Sequence, residues 1–127
     1  MARRDGTIFA LASARGRAGV AVIRLSGPQS DAALTALTDG AALPDPRIMT
    51  LRNLSDPRDN TLLDNGLIVR FLKKASFTGE ESAEIQCHGG PAVVTAILDA
   101  LAALPDCRMA EPGEFTRRAF DNGCLDL

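Results

Sequence analysis

The chain has 127 residues, 46% of them hydrophobic and 24% charged. That is one domain's worth, long enough for a core and too short for two, with a composition ordinary for a soluble globular protein. A net charge of −2 argues against a dedicated nucleic-acid binder, which carries a basic face, and three widely spaced cysteines (Cys87, Cys107, Cys124) form neither a disulfide framework nor a CxxC zinc site. A reducing, cytoplasmic setting fits that cysteine usage.

The opening MARRDGTIFALASA has the outline of a signal peptide. Its apolar stretch, Ile8 to Ala12, is shorter than the roughly 7–15 residues such a region needs, and Asp5 interrupts the basic leader. TIFALA is instead predicted as a first strand, SARGRAG as a glycine loop and VAVIRLSG as a second strand. A glycine loop between two strands does not fit a dinucleotide fingerprint, which needs strand, glycines and then helix. GPQSDAALTALTDG predicts a helix with Pro28 at its first position, Leu34 and Leu37 inward and Gly40 as the stop.

Two strands are predicted around 48–54 and 67–72, joined by a link rich in Pro, Asp and Asn. That link is long for a hairpin, so a mobile or irregular tip is expected. A short strand over 83–88 leads into a helix that starts near Pro91. Val94, Ile97, Leu98, Leu101 and Leu104 form its apolar face at helical spacing, and Pro105 stops it. AVVTAILDALAAL, broken by Thr95 and Asp99, is too short to cross a membrane, so no span is expected. CRMAEP gives a last short strand. PGEFTRRAFDNG gives a last short helix, with Phe115 and Ala119 inward and Gly123 as its cap. The order β-β-α-β-β-β-α-β-α, with about three helices and strands mostly following strands, predicts an α+β fold on a mixed sheet. NGCLDL then restarts an apolar pattern and stops, as the first residues of a further element of a longer protein would.

The chemistry concentrates in SFTGEESAEIQCHGGP, which holds the only histidine, His88, directly after Cys87. Neighbours on a strand point to opposite faces, so these two do not make a nucleophile–base dyad. Cys87 is expected buried beside Ile85, as free cysteines commonly are. Glu84, Gln86 and His88 share the other face. They line either a polar pocket, where Gly89 and Gly90 let backbone approach a ligand, or a solvated sheet surface. Arg24, inside the apolar VAVIRL, needs a partner. The choice is between a cross-strand ion pair, with Glu84 available, and a clamp for a ligand carboxylate. Arg117 and Arg118 are expected on a solvated helix face. No P-loop or GxSxG element is present, and one histidine is too few for a metal site.

GRAGVAVIRLSG, SFTGEESAEIQCHGGP, EPGEFTRRAFDNG and the terminal LDL, in that order from about Thr7 to Leu127, together resemble the N-terminal domain of the MnmE (TrmE) family of tRNA-modification GTPases. The resemblance implies a fold like the tetrahydrofolate-binding domain of aminomethyltransferases. It also implies homodimerisation and a bound 5-formyltetrahydrofolate as one-carbon donor near the dimer interface. Residues 1–120 would form this domain and 121–127 would open the helical domain that follows it in the family. GTP, Mg and K ions belong to a GTPase domain that these residues do not include. With the flavoprotein MnmG, family members modify carbon five of the wobble uridine in tRNA. The family's folate contacts fall on Arg24, Glu84 and Cys124, and His88 is a further candidate that approaches the ligand or shapes its loop. A carboxylate at Glu84 suits a pterin edge, which offers an amino group and a ring N–H side by side. The position of Cys124 is commonly basic in the family, and a thiol does not replace a cation on a folate carboxylate.

Two rival expectations accompany this one. A purely structural dimerisation module would use Arg24 and Glu84 as an internal ion pair and bind no folate. An independent aminomethyltransferase-like enzyme would need a longer chain and a general acid near the folate amine, which no residue here clearly supplies.

Overall fold

A computed structural model of the chain describes residues 6–13 and 19–125. Most of the glycine loop, the basic leader and the end of the terminal Leu-Asp-Leu lie outside the described residues. The elements follow the predicted order: β1 (Thr7–Leu11), β2 (Val20–Ser26), α1 (Ser30–Leu37), β3 (Thr50–Ser55), β4 (Leu62–Phe71), β5 (Ser82–His88), α2 (Pro91–Ala102), β6 (Cys107–Met109) and α3 (Glu114–Asp121). A 3-10 turn, Lys73–Ala75, lies between β4 and β5.

The six strands form one sheet in the order β3-β4-β5-β2-β1-β6. Every pairing is antiparallel except β1 with β6, so the sheet is mixed and the fold is α+β, as expected. The β2–β5 pair at the centre runs from Val20 opposite His88 to Ser26 opposite Ser82. Alternation along these two strands decides what each face does. Ala21, Ile23 and Leu25 of β2 meet Ala83, Ile85 and Cys87 of β5 on one face, all buried. Ala33, Leu34 and Leu37 of α1 and Val94, Ile97, Ala100 and Leu101 of α2 close over them to make the core. Burial of each large side chain there is worth roughly 1.5–3 kcal/mol.

The other face carries Arg24 opposite Glu84 and Val22 opposite Gln86. Among the described residues no long helix covers it; Val20 is 54% and Leu51 58% exposed. α3 reaches its far end, where Arg118 donates to the carbonyls of Gly6 and Ser26. Among the described residues no helix is long and apolar enough to cross a membrane.

Several local expectations change. Strand β4 begins at Leu62, five residues before the predicted start, so the link to β3 is short. Asp-Asn-Gly at 64–66 reads as a turn but is paired strand. Gly66 suits it because a Cβ there would stand 2.4 Å from the carbonyl oxygen of Gln86. The tip is also ordered: Asp56 accepts from the Arg58 amide and guanidinium at 2.8–3.0 Å. Pro28 stands in the turn before α1, which starts at Ser30 rather than at the proline. Phe115 is only half-buried, while Ala119 is fully so. Finally, Arg118 is buried, not solvated; Arg117 is exposed as predicted.

Candidate functional site

The pairing of β2 with β5 sets Arg24 directly opposite Glu84. Arg24 donates from Nε and Nη2 to Oε2 of Glu84, at 3.2 and 3.1 Å. The pair is half open, with side-chain exposures of 38% and 22%. Both contacts fall on one carboxylate oxygen. Among the described residues nothing donates to Oε1, and nothing accepts from Nη1 of Arg24. A carboxylate with a spare oxygen thus sits beside a guanidinium with a spare edge.

The pair forms one wall of a recess of about 240 Å³. Its other walls are aromatic and hydroxylic: Phe71 at the end of β4, Phe77 and Thr78 from the segment before β5, and Ser82. Phe77 is 51% exposed at the rim, an apolar surface beside a charged pair. Flat rings that stack on an aromatic and hydrogen-bond at their edge fit such a recess.

Behind the recess lies a polar cluster. Ser26 Oγ donates to Glu80 Oε1 at 2.6 Å and lies 2.6 Å from Thr78 Oγ1. Arg118, with a side chain only 9% exposed, donates to both oxygens of Glu80, at 3.0 and 3.3 Å. Its Nη2 donates to Glu114, one helical turn earlier on α3. Arg108 grips the same Glu114 from β6, and that guanidinium, chiefly, holds the Glu114 carboxyl down at about 2.

His88 lies elsewhere. It is four residues beyond Glu84, about 13 Å along the strand. Its ring Nδ1 pairs with Asp64 Oδ1 at 2.7 Å, and its amide donates to Oδ2 at 2.8 Å. Burial alone would raise the Asp64 carboxyl, but these bonds and the Asn65 amide outweigh it and hold Asp64 below its usual range. The structure therefore separates His88 from the Arg24–Glu84 recess. Cys124 is exposed just after α3 and does not line the recess. It sits against the recess wall: a Cβ on Gly79, next to Thr78 and at φ +79°, would stand 3.0 Å from its sulfur. Cys87 is buried on the core face, where burial, with the Asp64 charge, pushes its thiol up to about 11. Among the described residues no group of three or more His, Cys, Asp or Glu is placed to hold a metal.

Phe77, Thr78, Glu80 and Arg118 were not singled out by the sequence reasoning as site residues. The signal for Arg118 was present in its i,i+4 spacing from Glu114 on a short helix, which lets both turn inward together.

Comparison with known proteins matches residues 7–124 to the family described as "GTP-binding protein TrmE N-terminus". The tRNA modification GTPase MnmE of Parvibaculum lavamentivorans is 55% identical over 95% of this chain and 27% of its own length. The mitochondrial 5-taurinomethyluridine-[tRNA] synthase subunit of Danio rerio is 54% identical over 97% of this chain and 24% of its own. Its counterpart in Homo sapiens is 55% identical over 95% and 25%. The chain thus spans about a quarter of the length of these relatives.

Proposed function

Because the chain belongs to the family of the tRNA-modification GTPase MnmE (TrmE), matching its N-terminal region, we propose that it is the folate-binding and dimerising domain of such an enzyme. It holds 5-formyltetrahydrofolate as a one-carbon donor and pairs with a second copy. In the full-length protein, GTP hydrolysis with Mg and K ions, the partner MnmG and a tRNA substrate complete the modification of carbon five of the wobble uridine in the cytoplasm. Residues 1–120 make the domain, on a fold like that of the tetrahydrofolate-binding domain of aminomethyltransferases, and 121–127 lead into the next.

One observation carries the folate reading: the unengaged Oε1 of Glu84 beside Arg24, at the wall of an aromatic recess. A pterin edge donates an amino group and a ring N–H to one carboxylate, and Phe77 offers its rings a stacking surface. At about 240 Å³ the recess is smaller than the ~300–1,000 Å³ usual for a whole ligand. It suits the ring system, with the glutamyl tail lying outside. Cys124 supplies no cation for that tail; either its backbone makes the contact, or another basic residue substitutes, or affinity is lower. The uncovered sheet face, with Val20 and Leu51 more than half exposed, supports pairing with a second copy.

A second reading rests on the same pair: Arg24 and Glu84 already pair with each other, as in a purely structural dimerisation module. Calorimetric titration with 5-formyltetrahydrofolate decides between them. Saturable heat that is lost in a folded Glu84→Ala variant is the expected result. A folded wild-type chain that gives no heat at several temperatures would leave the structural module. No GTP hydrolysis is expected from these 127 residues alone.

A further inference from the structure

We propose that Arg118 and Asn122 of α3 are positioning residues for the recess, clamping the 76–82 segment that forms its wall. This inference rests on the folate reading above and extends it to groups that touch no ligand. Arg118 is the hub. Its Nη1 donates to Gly6 O at 2.8 Å, to Ser26 O at 3.5 Å and to Glu80 Oε1 at 3.0 Å. Glu80 in turn accepts from Ser26 Oγ, two residues from Arg24 on the same strand face. Thr78, a wall residue, is fixed from three sides. Its hydroxyl meets Ser26 Oγ at 2.6 Å and Ser82 Oγ at 3.3 Å, and its carbonyl accepts from Asn122 Nδ2 at 2.9 Å.

The fit is close at Gly79 as well. An added Cβ there would stand 2.8 Å from the Cβ of Asn122. The chain between Thr78 and Glu80 therefore rests directly on the end of α3. A mere structural brace would act on the whole fold, and the ion pair of Arg70 with Asp31, at 2.8 and 3.1 Å beneath α1, is such a brace. Arg118 differs because Glu80 and Ser26, two of the partners it holds, lead to the recess, and Gly6 stands at the strand end beside it. A guanidinium with several fixed acceptors orients what it binds, which a point charge does not. Loss of the clamp frees Phe77 and Thr78 from their positions beside Glu84 without touching the Arg24–Glu84 pair.

The test compares Arg118→Gln, Glu80→Gln and Arg70→Gln in the whole chain. 5-Formyltetrahydrofolate affinity is measured by calorimetry, thermal midpoint by scanning, and amide exchange over residues 76–84 by mass spectrometry. The expected result is a Kd at least tenfold weaker for Arg118→Gln and Glu80→Gln, with faster exchange over 76–84. Arg70→Gln should lower the midpoint and leave both readouts unchanged. Unchanged affinity in Arg118→Gln, or an equal loss in Arg70→Gln, overturns the proposal. Should Arg118→Gln fail to fold, Asn122→Ala removes only the bond to Thr78 from an exposed position. It should weaken binding several-fold, and wild-type affinity there overturns the clamp. If the wild-type chain binds no folate, the folate reading fails by itself. The exchange comparison then judges the clamp: 76–84 loosened by Arg118→Gln and not by Arg70→Gln supports it, and equal protection refutes it.

Discussion

The two faces of the β2–β5 pair are built from alternate residues of the same fourteen positions, and they have opposite characters. On one, Ile23, Leu25 and Ile85 are fully buried under two helices. On the other, Arg24 and Glu84 stay half open with a hydrogen-bonding edge unspent. The first face makes the fold and is indifferent to chemistry. The second contributes little packing and holds the groups proposed to recognise a ligand. A strand can do both because its period of two separates the tasks within a few ångströms. Its register is therefore doubly constrained: a slip by one residue would bury Arg24 and Glu84 and expose Ile23 and Ile85.

The sharpest way to break that division is Ile85→Ala. The residue is fully buried in the centre of the core. Its loss should cost about 2–5 kcal/mol in transfer and cavity energy, read by denaturant unfolding. Survival with less than about 1 kcal/mol lost would mean that the helices do not seal this face. Next in size is the acid response at the covered end of the second face. The Glu114 carboxyl is held at about 2 in the folded chain, against an ordinary 4.5, by Arg108 first of all. Its folded value is depressed, so its stabilisation is complete above about 4.5 and is lost as pH falls toward 2. A shift of that size corresponds to on the order of 3 kcal/mol. Glu114→Gln should be less stable at neutral pH and should lose less between pH 5 and 2 than wild type. Parallel curves would place the acid sensitivity in other carboxylates.

Much of the first face was legible in the sequence. The apolar period of Val94, Ile97 and Leu101 and the alternation through Ala83–His88 each translate directly into a buried stripe. The Arg24–Glu84 pairing was legible only as a choice, because a strand position needing a partner does not name it; the register does. The cluster behind the recess was illegible for a different reason. Arg118 read as a solvated charge because charged helix residues usually are, and only the approach of α3 to Gly6, Ser26 and Glu80 makes it a buried one. His88, prominent as the only histidine, is committed to Asp64, a partner 24 positions away that no local pattern indicates.

A smaller effect on stability, and a larger one on binding, is expected at Glu84. Its pair with Arg24 is partly solvated, which places it with ion pairs worth about 0.2–1 kcal/mol. Glu84→Ala should unfold within about 1 kcal/mol of wild type while losing the folate heat. A loss as large as that of Ile85→Ala would erase the contrast between the faces and make this pair part of the fold.

The cysteines sharpen the contrast without altering stability. Cys87 points into the core face, buried, and its thiol is pushed up to about 11, so almost none is thiolate near neutrality. Cys107 is also buried, and burial raises its thiol too. Cys124 is exposed at the end of α3, on the side of the recess wall. Iodoacetamide at about pH 8 should therefore modify Cys124 in the folded chain and reach the other two only in denaturant, as peptide mass spectrometry would record. Reaction depends on thiolate and on access together, and burial opposes both in Cys87 and Cys107. Labelling of Cys87 at the rate of Cys124 would require β5 to open from α2 in the native state, and then the core face would not be the closed one. Because Cys124 packs beside Gly79, its labelling rate also reports on the wall: it should slow when 5-formyltetrahydrofolate orders the 76–82 segment, and an unchanged rate at saturating ligand would separate Cys124 from the site.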